Sequence, residues 1–479
     1  MIHQYKNNGY SIVLDVNSGS VHVVDELAYG LIAAYTKTGL DKKCHEICQK
    51  EEGMAAADAS YQKEREQVLK EFLEKNGYQE KEVREAAAEI EELCQEGELF
   101  TEDIYENYAG DLKQRKTVVK ALCLHIAHDC NLACRYCFAG EGEYHGDRGL
   151  MSFEVGKKAL DFLVANSGSR KNLEVDFFGG EPLMNFGVVK QLVEYGRSIE
   201  EANHKKFRFT LTTNGMLLNE EVMEFANREM ANVVLSVDGR REVHDHMRPT
   251  RNGKGSYDII LPKFKELAER RNQTDYYVRG TFTHHNTDFS KDVLSLADEG
   301  FRQISVEPVV APKEMDYALT EEDIPKLCEE YDKLAVEMLK RQKEGRGFNF
   351  FHFMIDLSGG PCVAKRLSGC GSGTEYLAVT PWGDFYPCHQ FVGMEEFLLG
   401  NVEDGITRKD ICDEFKLCNV YAKEECKNCF AKFYCSGGCA ANSYNFKGKI
   451  NDVYEIGCAL QRKRVECAIM LKASQAEEM

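Results

Sequence analysis

The chain has 479 residues, of which 43% are hydrophobic and 29% are charged, and its formal net charge is −19 at pH 7. A chain of this length is too long for one ordinary hydrophobic core, so we expect two or three domains. The acidic balance argues against nucleic acid as a partner, because phosphate binding needs a basic surface. The sequence has no export signal and no apolar run near the about 18 residues that span a bilayer, which predicts a cytoplasmic protein without a membrane partner.

The first 105 residues are predicted to form a small α+β module. Polar and apolar positions alternate over 10–16 and 21–25 on either side of an Asn-Ser-Gly-Ser turn, which is typical of a β-hairpin. Charge-rich helices over 56–73 and 80–96 follow. The same pattern would also suit a cap or a dimerisation domain.

From Thr117 onward, strands alternate with helices, and Ser152 is the expected N-cap of a helix over 152–164. The repeat predicts a parallel sheet with right-handed crossovers, that is, an α/β fold in the form of a partial (β/α)6 barrel over 115–312. Polar motifs follow the strand ends, so we expect the chemistry at the C-terminal face of the barrel. The six predicted strands are 121–127, 174–178, 207–212, 233–237, 276–283 and 303–309.

Three cysteines follow the first barrel strand. Cys130, Cys134 and Cys137 are spaced x3 and then x2 on a tight loop. Such a set can hold three irons of one [4Fe–4S] cube and leave the fourth iron open. A zinc site is the alternative, although zinc usually draws its thiolates in pairs and needs four ligands.

A charged helical bridge over 313–358 leads to a cysteine-rich region over 359–479. With no export signal, the nineteen cysteines of the chain should stay reduced, which favours metal ligation over disulfides. A zinc ribbon is again the alternative for the paired cysteines. Seven cysteines of this region share one interleaved pattern: Cys370, Cys388, Cys426, Cys429, Cys435, Cys439 and Cys458. Elsewhere, Cys44 and Cys48 at i, i+4 spacing could bind a metal, but no other ligand pattern is near them.

The cysteine loop, with Tyr136 before its third cysteine, and the Gly-Gly-Glu-Pro sequence at 179–182 resemble the motifs of radical S-adenosylmethionine (SAM) enzymes. The resemblance implies that the loop binds a [4Fe–4S] cluster whose open iron chelates SAM, and that SAM cleavage gives a hydrogen-abstracting 5'-deoxyadenosyl radical. It implies no recognisable catalytic acid or base. The SAM contacts that it implies are Tyr136, Gly179, Gly180, Glu181, Thr212, Asn214, Ser236, Asp238 and Arg279. Several of these side chains could equally serve only to satisfy a loop, and the stretch 244–248 is expected to be structural.

The cysteine-rich region resembles the SPASM extension of radical SAM proteins, which implies two auxiliary [4Fe–4S] clusters and three clusters in all. The outer cluster would be held by Cys426, Cys429, Cys435 and Cys458. The cluster nearer the barrel would be held by Cys370, Cys388 and Cys439. Cys362 could supply the missing fourth ligand, or the open iron could take a cysteine of the substrate.

The opening module resembles the RiPP recognition element, which binds the leader of a precursor peptide by strand addition. The chain as a whole is similar to the SCIFF-peptide maturases. This implies a radical SAM oxidoreductase that forms thioether crosslinks in a cysteine-rich precursor peptide, with electrons from a donor such as ferredoxin or flavodoxin. Three alternatives stay open: an anaerobic sulfatase maturase that makes formylglycine, a maturase that forms carbon–carbon bonds, and a zinc-binding interaction module.

Overall fold

The computed structural model describes residues 1–50, 53–112, 114, 116–144, 146–357 and 362–477. The strands in these ranges are β1 Ile2–Asn7, β2 Tyr10–Asp15, β3 Val21–Val23, β4 Ala121–His128, β5 Gly149–Leu150, β6 Asn172–Gly179, β7 Lys206–Thr213, β8 Met230–Ser236, β9 Tyr276–Phe282, β10 Gln303–Pro308, β11 Asn349–Phe350, β12 Tyr376–Val379, β13 Asp384–Tyr386, β14 Gly400–Asn401 and β15 Gly405–Ile406. The α-helices are α1 Glu26–Thr38, α2 Leu40–Cys48, α3 Ala59–Asn76, α4 Glu80–Gln95, α5 Glu106–Asp111, α6 Phe153–Asn166, α7 Phe186–Asn203, α8 Glu220–Glu229, α9 Arg241–Met247, α10 Tyr257–Arg270, α11 Ser290–Asp298, α12 Ile324–Lys343, α13 Val363–Ser368, α14 Lys409–Leu417, α15 Glu424–Lys427, α16 Lys432–Cys435, α17 Ala440–Lys447 and α18 Glu455–Glu477.

The N-terminal module is a three-stranded antiparallel sheet, ordered β1-β2-β3, packed against α1 to α4. The predicted hairpin is β2–β3, and β1 is a further strand that the sequence analysis did not assign. Asn8 and Gly9 join β1 to β2 with φ angles of 49° and 89°. An Asn-Gly pair with both φ angles positive favours a tight hairpin turn, so this signal was present in the sequence. Val13, Leu31 and Phe72 belong to a core that is separate from that of the barrel.

The central sheet carries the predicted barrel strands in chain order. Strands β4, β6, β7, β8, β9 and β10 are neighbours and all pair in parallel. This confirms the α/β fold with a mainly parallel central sheet. Ser152 caps α6 as predicted, since its hydroxyl accepts a hydrogen bond from Val155 N.

The cysteine-rich region extends the same sheet, which the sequence did not predict. Strand β12 pairs in parallel with β4, so Tyr376 lies opposite Ala121. Strands β13, β14 and β15 then continue as an antiparallel edge. The strand that leads into the first cysteine loop is therefore flanked on one side by the barrel and on the other by the third region.

The N-terminal sheet is anchored on the C-terminal region. The Tyr5 hydroxyl donates to Glu466 O at 3.0 Å on α18, and the His3 ring stacks on Phe430 with the ring centroids 3.5 Å apart. The Asn7 amide donates to Asp332 Oδ1 on α12 at 3.0 Å. None of the helices in the described ranges is both long and apolar enough to cross a bilayer.

Candidate active site

The cysteine loop starts where β4 ends, at the C-terminal edge of the parallel sheet. Its backbone is tied to the segment after α9, because Ala133 N donates to Pro249 O and Arg135 N to Met247 O, each at 2.9 Å. Cys130, Cys134 and Cys137 are all free thiols. Burial raises the pKa of Cys130 to about 11 and that of Cys134 to about 12. Buried thiols of this kind stay protonated at neutral pH unless a metal takes the place of the proton.

The two glycines of the Gly-Gly-Glu-Pro sequence are required by a close backbone crossing. Gly179 has a φ of +119°, and a Cβ atom there would lie 2.4 Å from Ala127 O. A Cβ atom on Gly180 would lie 2.1 Å from Asp129 O. Gly180 N and Glu181 N donate to the same two carbonyls, at 2.7 and 2.9 Å. The end of β6 therefore fixes the start of the cysteine loop through backbone contacts that only glycine permits.

Glu181 is fully buried behind this crossing. Its carboxylate accepts hydrogen bonds from Leu183 N at 3.0 Å, and from Thr213 Oγ1 and Asn214 N, each at 2.8 Å. Burial raises the pKa of Glu181 to about 7 in spite of these bonds. The Asn214 side chain donates to Asn131 Oδ1 at 2.7 Å and lies 3.6 Å from Cys130 Sγ. Glu181 and Asn214 thus connect the third barrel strand, β7, to the cysteine loop.

Tyr136 and Asp238 form one buried group. The Tyr136 hydroxyl donates to the Asp238 carboxylate at 2.7 Å, which also accepts from Arg248 Nε at 3.0 Å and Thr281 N at 2.9 Å. The Arg248 guanidinium lies 5.3 Å from the centre of the Tyr136 ring. Asp238 is therefore bonded to three protein groups, and its contact with SAM stays a prediction. Arg248 lies in the stretch that was expected to be structural.

The other expected SAM contacts lie at the same edge of the sheet. Thr212 and Ser236 are partly buried near the ends of β7 and β8, and it is the neighbouring Thr213, not Thr212, that binds Glu181. Arg279 on β9 is paired with Glu307 on β10 at 3.2 Å. The positive charge of Arg279 lowers the pKa of Glu307 to about 2.

The structure brings the four outer-cluster cysteines together. Cys426, Cys429, Cys435 and Cys458 line one cavity of about 130 Å³. Each of them is a free thiol, and burial raises the pKa of Cys426 to about 12 and that of Cys458 to about 11. Four converging thiols are a donor set that suits iron–sulfur or zinc binding.

The nearer set has a further cysteine beside it. Cys362 and Cys370 line a second cavity, of about 410 Å³, together with Cys418. Burial raises the pKa of Cys418, so this thiol is protonated at neutral pH when no metal is bound. Burial likewise raises the pKa of Cys388, with contributions from Cys439 and Cys370. The sequence pattern gave no reason to include Cys418, because its spacing is outside the repeated motif.

Comparisons with known proteins identify related enzymes. Residues 124–293 match the sequence model of the radical SAM superfamily. The chain is 26% identical over 346 residues to the cysteine-type anaerobic sulfatase-maturating enzyme of Clostridium novyi, which covers 68% of this chain and 88% of the relative. It is 24% identical over 355 residues to the serine-type anaerobic sulfatase-maturating enzyme of Bacteroides thetaiotaomicron, with 66% and 81% covered.

A solved structure extends the agreement to the fold. Native anSMEcpe with bound AdoMet matches with a TM-score of 0.62 at 21% identity, covering 75% of this chain and all of that one. The cysteine loop at the end of β4 and the glycine crossing at the end of β6 both lie within the matched residues 124–293. Residues 124–293 are therefore a radical SAM domain, and the chain is an enzyme with sulfatase maturases among its relatives.

Proposed function

We propose that this enzyme forms thioether crosslinks, from cysteine sulfur to carbon, in a ribosomally made, cysteine-rich precursor peptide that it holds by the leader. The observation that carries the proposal is an open strand edge on an N-terminal module that is packed against α12 and α18. Strand β3 is the last strand of its sheet among the described residues, and Val23 on it is 41% exposed.

The geometry of β3 suits the addition of a peptide strand. Val24 N donates to Ser11 O, and Asp15 N to Ser20 O. Because hydrogen-bonded and non-hydrogen-bonded pairs alternate in an antiparallel ladder, the backbone groups of Val21 and Val23 point away from β2. Among the described residues, Val21 and Val23 thus offer N–H and C=O groups without a backbone partner along one edge, which is the requirement for binding an extended leader.

The attachment of the module keeps a bound leader near the barrel. The contacts of Tyr5 with Glu466 and of Asn7 with Asp332 fix the sheet against α18 and α12. A leader held on this sheet raises the effective concentration of the core peptide at the active site. The relative anSMEcpe, which shares the fold of the catalytic domain, has been solved with AdoMet and the Kp18Cys peptide, which supports a peptide substrate.

The thiols supply the expected cofactor sites. Cys130, Cys134 and Cys137 would hold the [4Fe–4S] cluster that binds SAM, and the two cysteine sets of the third region would hold the auxiliary clusters. When bound, the first cluster and SAM supply a radical that takes a hydrogen atom from a carbon of the substrate. The chain itself positions this chemistry: Glu181 and Asn214 fix the loop to β7, and the glycine crossing fixes it to β6. We expect the enzyme to work in the cytoplasm and to receive its electrons from a donor such as ferredoxin or flavodoxin.

A matched pair of variants at Val23 tests the leader site. Val23→Pro removes an outward N–H without breaking the β2–β3 ladder, whereas Val23→Thr keeps the N–H and changes only the side chain. Leader affinity is measured by fluorescence anisotropy, and the product by mass spectrometry after anaerobic reaction with SAM and a reductant. We expect Val23→Pro to weaken leader binding at least tenfold and Val23→Thr to bind like the parent. Each crosslink should remove two hydrogens and one alkylatable thiol from the peptide.

Sulfatase maturation is the second candidate, because the named relatives with this activity align over 81% or more of their own length. That reaction replaces one thiol or hydroxyl by an aldehyde, which hydrazide reagents trap. If an aldehyde forms in a sulfatase-derived peptide and the cysteine-rich peptide stays unchanged, the thioether proposal is wrong and sulfatase maturation is the better assignment. Equal leader binding by the two Val23 variants would reject the strand-edge leader site but would leave the thioether reaction untested by that result.

A further inference from the structure

Three thiols outside all the proposed clusters meet inside the N-terminal module. The sulfur atoms of Cys44, Cys48 and Cys94 lie within 4.8 Å of one another. Cys44 and Cys94 are buried and Cys48 is half-buried. Within the described ranges, this is the one set of three potential ligand atoms that lies so close together.

The local fold explains why these thiols converge. Cys44 and Cys48 are one turn apart on α2 and therefore share a face. Cys94 lies in the last turn of α4, which packs against α2. Both Cys48 and Cys94 are within one residue of a helix C-terminus, where the unpaired carbonyls favour a cation and disfavour bare thiolates.

We infer that Cys44, Cys48 and Cys94 bind a Zn²⁺ ion that joins α2 to α4. In a tetrahedral site with Zn–S distances of 2.3 Å, the sulfur atoms are separated by about 3.8 Å, which the observed spacing accommodates. A [4Fe–4S] cube needs a wider set, because each thiolate binds a different iron. The spacing therefore favours a single ion over a cluster.

The surrounding charges favour Zn²⁺ over Cu⁺, the other thiophilic ion of suitable geometry. The nearby Arg65 is already paired with Glu91 at 2.6 Å, and the Tyr61 hydroxyl donates to the same carboxylate at 2.8 Å. The positive charge of Arg65 is therefore compensated by Glu91 and does not offset the charge of the thiolates. Three thiolates leave a net charge of −1 with Zn²⁺ and −2 with Cu⁺, and buried net charge is costly. A water molecule would be the fourth ligand, because the Tyr61 hydroxyl is already bonded to Glu91.

The test is a comparison of zinc content in full-length proteins purified anaerobically. The variants are Cys48→Ser and Cys94→Ser, and the control is Cys328→Ser, a half-buried cysteine on α12 outside the set. We expect the parent and the control to carry one Zn²⁺ per chain more than either variant. Subtracting the zinc content of a variant from that of the parent cancels any zinc bound at the cysteine-rich region, because both proteins share that region. Zinc-edge X-ray absorption of the parent should show three Zn–S distances near 2.3 Å in the difference spectrum.

Two results would overturn the inference. One is equal zinc in all four proteins. The other is a disulfide between any two of the three cysteines, found by peptide mapping of the same anaerobic preparation. If Cys94→Ser fails to fold, Cys48→Ser still decides, because Cys48 is half-buried at the end of α2 and serine fits there. The test measures metal and not activity, so it is independent of whether the peptide substrate is correct.

Discussion

Replacing Asp238 by Asn should loosen the cysteine loop while leaving its shape intact. Asp238 Oδ1 accepts from Arg248 Nε at 3.0 Å, and Arg248 is only 7% exposed. Burial by itself would lower the pKa of Arg248, and the negative charge of Asp238 and its neighbours reverses this so that the pKa is raised. Asn keeps the size of the side chain but removes the charge. Breaking a buried pair in this way costs about 3–5 kcal/mol, because the remaining charge is left uncompensated.

Hydrogen exchange of the loop amides measures this loss directly. Arg135 N is bonded to Met247 O, one residue before Arg248, so loosening this segment exposes the loop amide. A loss of about 3 kcal/mol corresponds to exchange about 100-fold faster, since 1.4 kcal/mol is a factor of ten. The peptide covering 130–137 should show this acceleration in Asp238→Asn.

Two further variants test whether the faster exchange comes from the loss of the Asp238–Arg248 ion pair. Asp410→Asn removes the partner of Arg408 in an exposed pair and should change exchange of the loop by less than about twofold. Adding Arg248→Met to Asp238→Asn removes the uncompensated charge and should restore most of the protection. Exchange that accelerates less than threefold in Asp238→Asn, or that does not recover in the double variant, would refute the role of the ion pair.

Two other predictions follow from single side chains. The pKa of Glu181 is about 7 in the folded state, against an ordinary value of 4.5. Between these two pH values the folded state keeps a proton that the unfolded state loses. The free energy of unfolding should therefore fall by up to about 3 kcal/mol as the pH rises from 4.5 to 7. Denaturation of Glu181→Gln across this range should lack that fall, and an unchanged pH profile would contradict the assignment. Cys418 Sγ donates to Ile450 O at 3.3 Å, whereas Cys362 is exposed. Cys362→Ser should therefore change the electron paramagnetic resonance signal of the nearer cluster and Cys418→Ser should not; the reverse would make Cys418 the ligand.

The parallel sheet could be predicted because its strands carry a local pattern of buried apolar residues, at every position of β4 and at alternate positions of β6 and β7. In β4 every residue is buried, and the apolar run is visible in the sequence. Strand β12 was missed because it has only four residues and its pairing with β4 joins positions more than 250 residues apart. A short strand without alternation has no local signal, so its place depends on tertiary packing.

The candidate site was only partly predictable for a related reason. The spacing of Cys130, Cys134 and Cys137 is local, and it identified the loop directly. The roles of Asp238 and Arg279 depend on partners from other strands: Asp238 is bonded to Tyr136, and Arg279 to Glu307. Cys94 illustrates the same limit, because it lies 46 residues from Cys48 and joins it only when α4 packs on α2.

The stacking of His3 on Phe430 limits how this chain can be recombined with others. Phe430 follows Cys429, so the first strand of the chain touches the residue next to a candidate cluster ligand. An exchange of the first 105 residues for the corresponding segment of another protein would leave Phe430, Glu466 and Asp332 facing a foreign surface. The N-terminal module therefore cannot be exchanged by itself without losing these contacts. A working chimera would need to carry the matching face of α12 and α18 with it.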